Sequence, residues 1–147
     1  MPAKDKFVVL VTCGSAGEAE EIARTLVEQR LAACVNLVAT PVRSIYRWQG
    51  KIETASEYLL VIKTSRGKLA GLREQVERLH SYDVPEIIAL PIAAGSPKYL
   101  RWLDDSLRRA RGSSSRRAKE QRLSQKQRDR MRPLDLLPSE LVAAEYA

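Results

Sequence analysis

The sequence predicts an α+β domain over residues 1–107, in the order β-α-β-β-α-β with a short helix at its end, ahead of a basic extension over 108–147. Three observations predict it: short β-branched runs bounded by turn residues, two stretches with apolar residues at helical spacing, and a long β-rich segment that folds back on itself at Gln49-Gly50.

The run Phe7-Val-Val-Leu-Val-Thr-Cys13 meets Gly14-Ser-Ala-Gly17, a strand entering a turn. Ser15 and Glu18 form an S-x-x-E capping box, and Ala19, Ile22, Ala23 and Leu26 put one apolar face on a helix running to about Arg30. From Ala33 to Trp48 the chain is β-rich, with Pro41 marking a bulge or an edge because it lacks a ladder donor. Lys51 to Thr64 returns as a strand whose run from Tyr58 to Ile62 is apolar at every position, which predicts cover on both faces. Leu69, Leu72, Val76 and Leu79 predict a second helix, and Glu86 to Ile92 a fourth strand. Ser96-Pro97 opens the last helix, with Leu100, Leu103 and Leu107 inward.

This order is the split-βαβ, or ferredoxin-like, arrangement: two helices on one face of an antiparallel sheet with strands in the spatial order 4-1-3-2. Cys13 and Cys34 then sit at opposite ends of the sheet, some ~20 Å apart, beyond the ~7 Å Cα limit for a disulfide. The end of the first strand, the start of the first helix, the loop from His80 to Glu86 and the hairpin tip from Trp48 to Lys51 converge, so a site belongs there. The hairpin of the second and third strands has a reach of ~50 Å, about twice that of the first strand. Its far half has no partner within the chain, and copies of the same chain are the simplest cover.

Charge divides unevenly. The net +7 comes from residues 108–132, which hold 11 Lys+Arg against 2 Asp+Glu; residues 1–107 hold 14 against 13. No apolar run approaches the ~20 residues of a bilayer span. The N-terminus lacks a secretory signal's apolar core, and two cysteines are too few for a disulfide scaffold, which points to the cytoplasm.

Leu31-Ala-Ala-Cys-Val-Asn36, Ser44-Ile-Tyr-Arg-Trp-Gln-Gly-Lys51, Leu60-Val-Ile-Lys-Thr64, His80-Ser-Tyr-Asp-Val-Pro-Glu86 and Tyr99-Leu-Arg-Trp-Leu103 together resemble the CutA family of divalent-cation-tolerance proteins, over residues 6–107. The resemblance implies a homotrimer built through the long hairpin, a cytoplasmic address and an association with divalent metals, copper especially. It also implies metal ligation by Cys13 and His80, which match a cysteine and a histidine treated as ligands in the family. Leu79 stands where some members have a second histidine, and Ser81 where proline is more usual.

Thiolate and imidazole suit copper or zinc, but two ligands do not complete a site, so Glu86 or a neighbouring subunit is expected to add to it and Cu(II) or another divalent cation to bind weakly. The competing reading is a small buried cysteine beside a hydrogen-bonded loop histidine. Tyr46, Trp48, Tyr82 and Trp102, with Lys51 at the hairpin tip, line either a pocket or a packing interface between subunits. Glu18, Glu20 and Glu21 disfavour an anion at the first helix, the loop before it has no arginine, and His80 is the single histidine, so no catalytic arrangement is supported. In the extension, Arg116, Arg117, Lys119, Arg122, Lys126, Arg128, Arg130 and Arg132 suggest a loosely helical or disordered tail that holds nucleic acid or another polyanion, or a solvated charge run. Alternatives to a metal-tolerance role are therefore a trimeric scaffold with a polyanion-binding tail, or a small-molecule sensor akin to the PII signalling proteins.

Overall fold

The computed structural model describes residues 3–108. The basic run from Arg116 to Arg132 and the polyanion role read from it lie outside the described residues.

The elements are β1 (Lys6–Cys13), α1 (Ala16–Glu28), β2 (Cys34–Leu37), β3 (Val42–Trp48), β4 (Lys51–Ser65), α2 (Leu69–Leu79), β5 (Ile87–Pro91) and α3 (Pro97–Leu107), with one 3-10 turn before α2. The sheet runs β2-β4-β1-β5 with β3 also on β4, every pair antiparallel. This is the expected strand order, with the second strand cut in two. Pro41 lies at the break, where it has no N–H to give a ladder. Beyond it β3 pairs Val42 to Trp48 with Glu57 to Lys51, so the first half of β4 forms a two-stranded ribbon with β3. The free ribbon is therefore about seven residues, or ~23 Å, shorter than the arm expected from an unbroken strand. At its tip Gln49 and Gly50 have φ of 50° and 80°, the two left-handed residues a tight hairpin turn requires.

Ser15 caps α1, its Oγ accepting from the Glu18 N–H at 3.2 Å. The reciprocal half of the capping box is not made, because the Glu18 side chain reaches away to Ser81. The chain leaves α1 through Arg30 in a left-handed conformation, φ 56°, and the Leu31 N–H closes on the Leu26 carbonyl at 2.9 Å.

Alternation along β1 and β4 turns Val9, Val11, Leu60 and Ile62 to the helices, where they pack on Ile22, Leu26, Leu72 and Val76. Each such fully buried side chain is worth about 1.5–3 kcal/mol. The opposite face is covered less completely. Leu59 and Val61 are only half-buried, and Ile88 and Leu90, which pair with Leu10 and Val8, stay 46% and 47% exposed. Cover on both faces, expected from the unbroken apolar run of β4, is thus complete on the helix side alone within one chain.

α3 is fixed at the other end of β1. Leu103 and Leu107 pack against Ala33, the Lys6 ammonium meets Asp104 at 2.8 Å and Asp5 at 2.6 Å, and Arg30 donates to the Ser106 carbonyl at 2.9 Å. Burial works against the charge on Lys6, but the Asp104 and Asp5 carboxylates outweigh it and hold the ammonium above its ordinary range. Both cysteines are free, and opposite Tyr58 and Lys63 respectively they stand well apart along β4.

Candidate metal centre and the cleft beside it

β1 ends at Cys13, α1 starts three residues later, and the chain leaving α2 returns at His80. The thiol of Cys13, a carboxylate oxygen of Glu18 and a ring nitrogen of His80 all lie within 4.8 Å of one another. Soft sulfur, imidazole nitrogen and one carboxylate make a donor set suited to a divalent transition metal. Cys13 and His80 come together as the sequence suggests. Glu86 does not join them; it lines the neighbouring cleft, and Glu18 supplies the carboxylate instead. The signal that identifies Glu18 is positional: it lies one turn into a helix that begins directly after the strand carrying Cys13.

Glu18 and His80 are already engaged. Glu18 Oε1 accepts from the Ser81 N–H at 2.6 Å and Oε2 from the Ser81 hydroxyl at 3.1 Å. His80 Nε2 lies 2.7 Å from the Thr12 carbonyl oxygen, which only accepts, so Nε2 carries the proton. Its Nδ1 accepts from the Tyr82 N–H at 3.1 Å, so the ring is the neutral Nε2–H tautomer with both nitrogens occupied. Burial, and then the charges of Glu18 and Glu57, push the Cys13 thiol up to about 12. The three residues fit a divalent cation in identity and spacing. Loading it requires a thiol proton to leave and a nitrogen of His80 to be freed of its hydrogen bond, whereas the Glu18 carboxylate can keep its bonds to Ser81 and still offer a lone pair.

The second feature is an open cleft of about 540 Å³ lined by Tyr46, Trp48, Glu57, Tyr82, Asp83 and Glu86, among others. Three of the aromatic residues singled out in the sequence thus share one wall. Trp102 does not: it packs beside Leu103 and stacks on Tyr99 at 5.5 Å. Lys51 pairs with Trp48 across the hairpin turn and is not part of the lining. Tyr82 also lies 4.7 Å from the His80 ring, and a Cβ on Gly14 would stand 3.0 Å from its hydroxyl, so glycine there permits the close approach. Burial, then Glu57, pushes the Tyr82 phenol up to about 12. Glu57 itself, 7% exposed, was not anticipated from the sequence. A glutamate just ahead of an apolar run on a long strand is its one signal.

A ferredoxin-like sheet that carries a Cys/Glu/His cluster of metal-ligand spacing at the end of its central strand β1 defines a class of small α+β proteins with the capacity to chelate a divalent cation. The family model described as "CutA1 divalent ion tolerance protein" matches residues 7–106. The chain belongs to the CutA1 family. It is 52% identical over 99 residues to a divalent-cation tolerance protein CutA of Thermus thermophilus, covering 67% of this chain and 95% of that one. It is 48% identical over 102 residues to a chloroplastic CutA protein of Arabidopsis thaliana, covering 69% of this chain and 56% of the plant protein. Among solved structures, CutA1 from Oryza sativa matches with a TM-score of 0.69 at 44% identity, covering 72% of this chain and 96% of that one. The family model and the Thermus protein are named for divalent-ion tolerance, and none of these names states a reaction. Among the described residues no helix is long and apolar enough to cross a membrane.

Proposed function

We propose that the chain is a non-catalytic, cytoplasmic divalent-cation-binding protein, copper-linked and homotrimeric, in which Cys13, Glu18 and His80 take the metal. The observation that carries this reading is the convergence of a thiol, a carboxylate and an imidazole within 4.8 Å. The relatives' names add divalent-cation tolerance. Weak, exchangeable binding suits a donor set that must first be released from structural hydrogen bonds, and fits a role in tolerance better than one in permanent storage.

Self-association is supported by what one chain leaves uncovered. Ile45 and Ile52 on the ribbon are 69% and 62% exposed, and Ile88 and Leu90 extend an apolar face beneath the sheet. The test has two arms. Sedimentation at micromolar protomer should give a single trimer, and a stable lone protomer rejects assembly. Calorimetric titration with Cu(II) and Zn(II) should give one weak site per chain that is lost in Cys13→Ala and in Glu18→Gln; retention in both rejects the cluster.

The charge pattern favours a second role. Residues 108–132 carry 11 basic against 2 acidic residues, and a trimer presents three such segments, enough for salt-sensitive binding of nucleic acid or another polyanion. Full-length protein should retain RNA on a filter at low salt and a chain cut after Gly112 should not; equal retention removes the role.

A further inference from the structure

Glu18 reaches the Cys13 and His80 donors by a route that the start of α1 does not require. Its backbone N–H is held by the Ser15 cap at 3.2 Å, and the glutamate of a complete S-x-x-E box turns its carboxylate back to the cap N–H. Here the side chain spans instead to the loop after α2. The Ser81 N–H donates to Oε1 at 2.6 Å and the Ser81 hydroxyl to Oε2 at 3.1 Å. With both bonds in place, a Glu18 carboxylate oxygen lies within 4.8 Å of the Cys13 and His80 ligand atoms. Ser81 is exposed and Glu18 only half-buried, so water can satisfy these groups without help from the protein. What water does not do is choose a rotamer. A free glutamate side chain samples several and loses that freedom on taking a metal; two donors from one residue remove it beforehand. His80 is placed in a similar way, its Nε2–H held at 2.7 Å by the carbonyl of Thr12, the residue next to Cys13. Ser81 in turn is the residue next to His80. Glu18 and His80 are thus each oriented by the neighbour of another ligand, the arrangement of outer hydrogen-bond partners by which metal sites are aligned.

We propose that Ser81 is a positioning residue of the metal centre: its N–H and hydroxyl hold the Glu18 carboxylate beside Cys13 and His80, so that a divalent transition-metal ion meets an oxygen donor already in place. The inference rests on the metal reading given above and deepens it. Each carboxylate oxygen keeps a second lone pair while it accepts from Ser81, so the clamp and the metal bond coexist. Ser81 itself contributes no ligand atom and acts only through Glu18.

The full chain, as assembled in solution, is titrated with Co(II), whose charge-transfer and d–d absorption reports thiolate ligation and the ligand geometry. Zn(II) affinity is read in parallel by competition with a chelator. Ser81→Ala deletes the hydroxyl bond and leaves the N–H; it should weaken Zn(II) binding about tenfold and shift the d–d bands. Ser81→Thr keeps both donors and should match the wild type. In a Glu18→Ala background the same Ser81→Ala change should have no further effect, because the group it acts through is gone. A serine that merely ties the loop to α1 would lower stability in urea unfolding and leave the bands and the affinity as they are. Wild-type bands and affinity that Ser81→Ala leaves unchanged overturn this proposal alone, as does an equal loss of affinity in the Glu18→Ala background. A wild type without thiolate-to-Co(II) absorption rejects the metal reading and this role with it.

Discussion

Metal binding at Cys13 should carry an unusual pH dependence. The bound form is the thiolate, and burial with two nearby carboxylates lifts the thiol from 9.0 to about 12. Three pH units correspond to on the order of 4 kcal/mol, or a thousandfold weaker apparent affinity at neutral pH than an ordinary thiol gives in the same site. The sign follows from proton release: below the thiol's folded value one proton leaves per metal bound, so affinity rises about tenfold for each pH unit. For an ordinary thiol that rise ends near pH 9; for Cys13 it continues towards 12. Zinc affinity measured by competition with a chelator, corrected for zinc hydrolysis, should therefore climb about a hundredfold from pH 8 to pH 10. Cys13→Ser should remove the slope together with most of the affinity. Calorimetry in two buffers of different ionisation enthalpy should count one proton released by the thiol in the wild type. A pH-independent affinity between 8 and 10, or a slope unchanged in Cys13→Ser, refutes the argument that a protonated, buried thiol is the ligand.

The same thiol should shape stability at alkaline pH. Because its folded value is raised, the unfolded chain ionises first, and the wild type should lose up to about 1.4 kcal/mol per pH unit above pH 9. The cost of Cys13→Ala in urea unfolding at fixed protomer concentration should then be smaller at pH 10 than at pH 8; equal costs contradict the burial argument. Lys6→Met removes a 5% exposed ammonium from Asp104, whose side chain is 31% exposed. Water repays part of that loss, so about 1–2 kcal/mol is expected rather than the 3–5 of a fully buried pair, together with faster amide exchange in α3. Unaltered exchange in α3 refutes its role in holding that helix. At Gly50, φ 80°, an added Cβ meets nothing within 4 Å, so Gly50→Ala should cost about 1 kcal/mol through backbone strain alone. A neutral result there shows that the turn relaxes.

The strands and helices were legible where a local signal coincides with the tertiary role. The Phe7 to Cys13 run, the Ser15 cap and the Leu100, Leu103 and Leu107 stripe all appear where expected. The candidate site was half legible. Cys13 and His80 follow from strand ends and topology, but Glu18 is disguised by its own context: S-x-x-E reads as a capping box, and the box explains the glutamate without needing it elsewhere. What redirects it is Ser81, 63 positions away, whose N–H and hydroxyl both reach its carboxylate. A charge-assisted bond to two donors is stronger than one return bond to the cap N–H, and no periodicity encodes it. The break at Pro41 was visible as a weak point, yet the loss of pairing there depends on β4 serving β2 and β3 in succession.

The two ends of β1 treat charge in opposite ways, and this bears on function. At Lys6 a buried cation is matched at once by two carboxylates, so that end is electrostatically complete and holds α3. At Cys13 the imbalance is negative: Glu18 and Glu57 both act on a thiol that stays protonated, and Glu57 has no cation among the described residues. A cation bound at that end would offset the imbalance. The backbone links the Cys13, Glu18 and His80 cluster to the cleft, because His80 Nδ1 holds the Tyr82 N–H and Tyr82 forms a wall of the cleft. A metal that takes Nδ1 must release that N–H and keeps the Nε2–H bond to the Thr12 carbonyl, whereas one that takes Nε2 moves the ring proton to Nδ1, which then cannot accept from Tyr82 either. By either route the Tyr82 N–H bond is lost, so a metal on His80 would reach the cleft wall through the backbone of Tyr82.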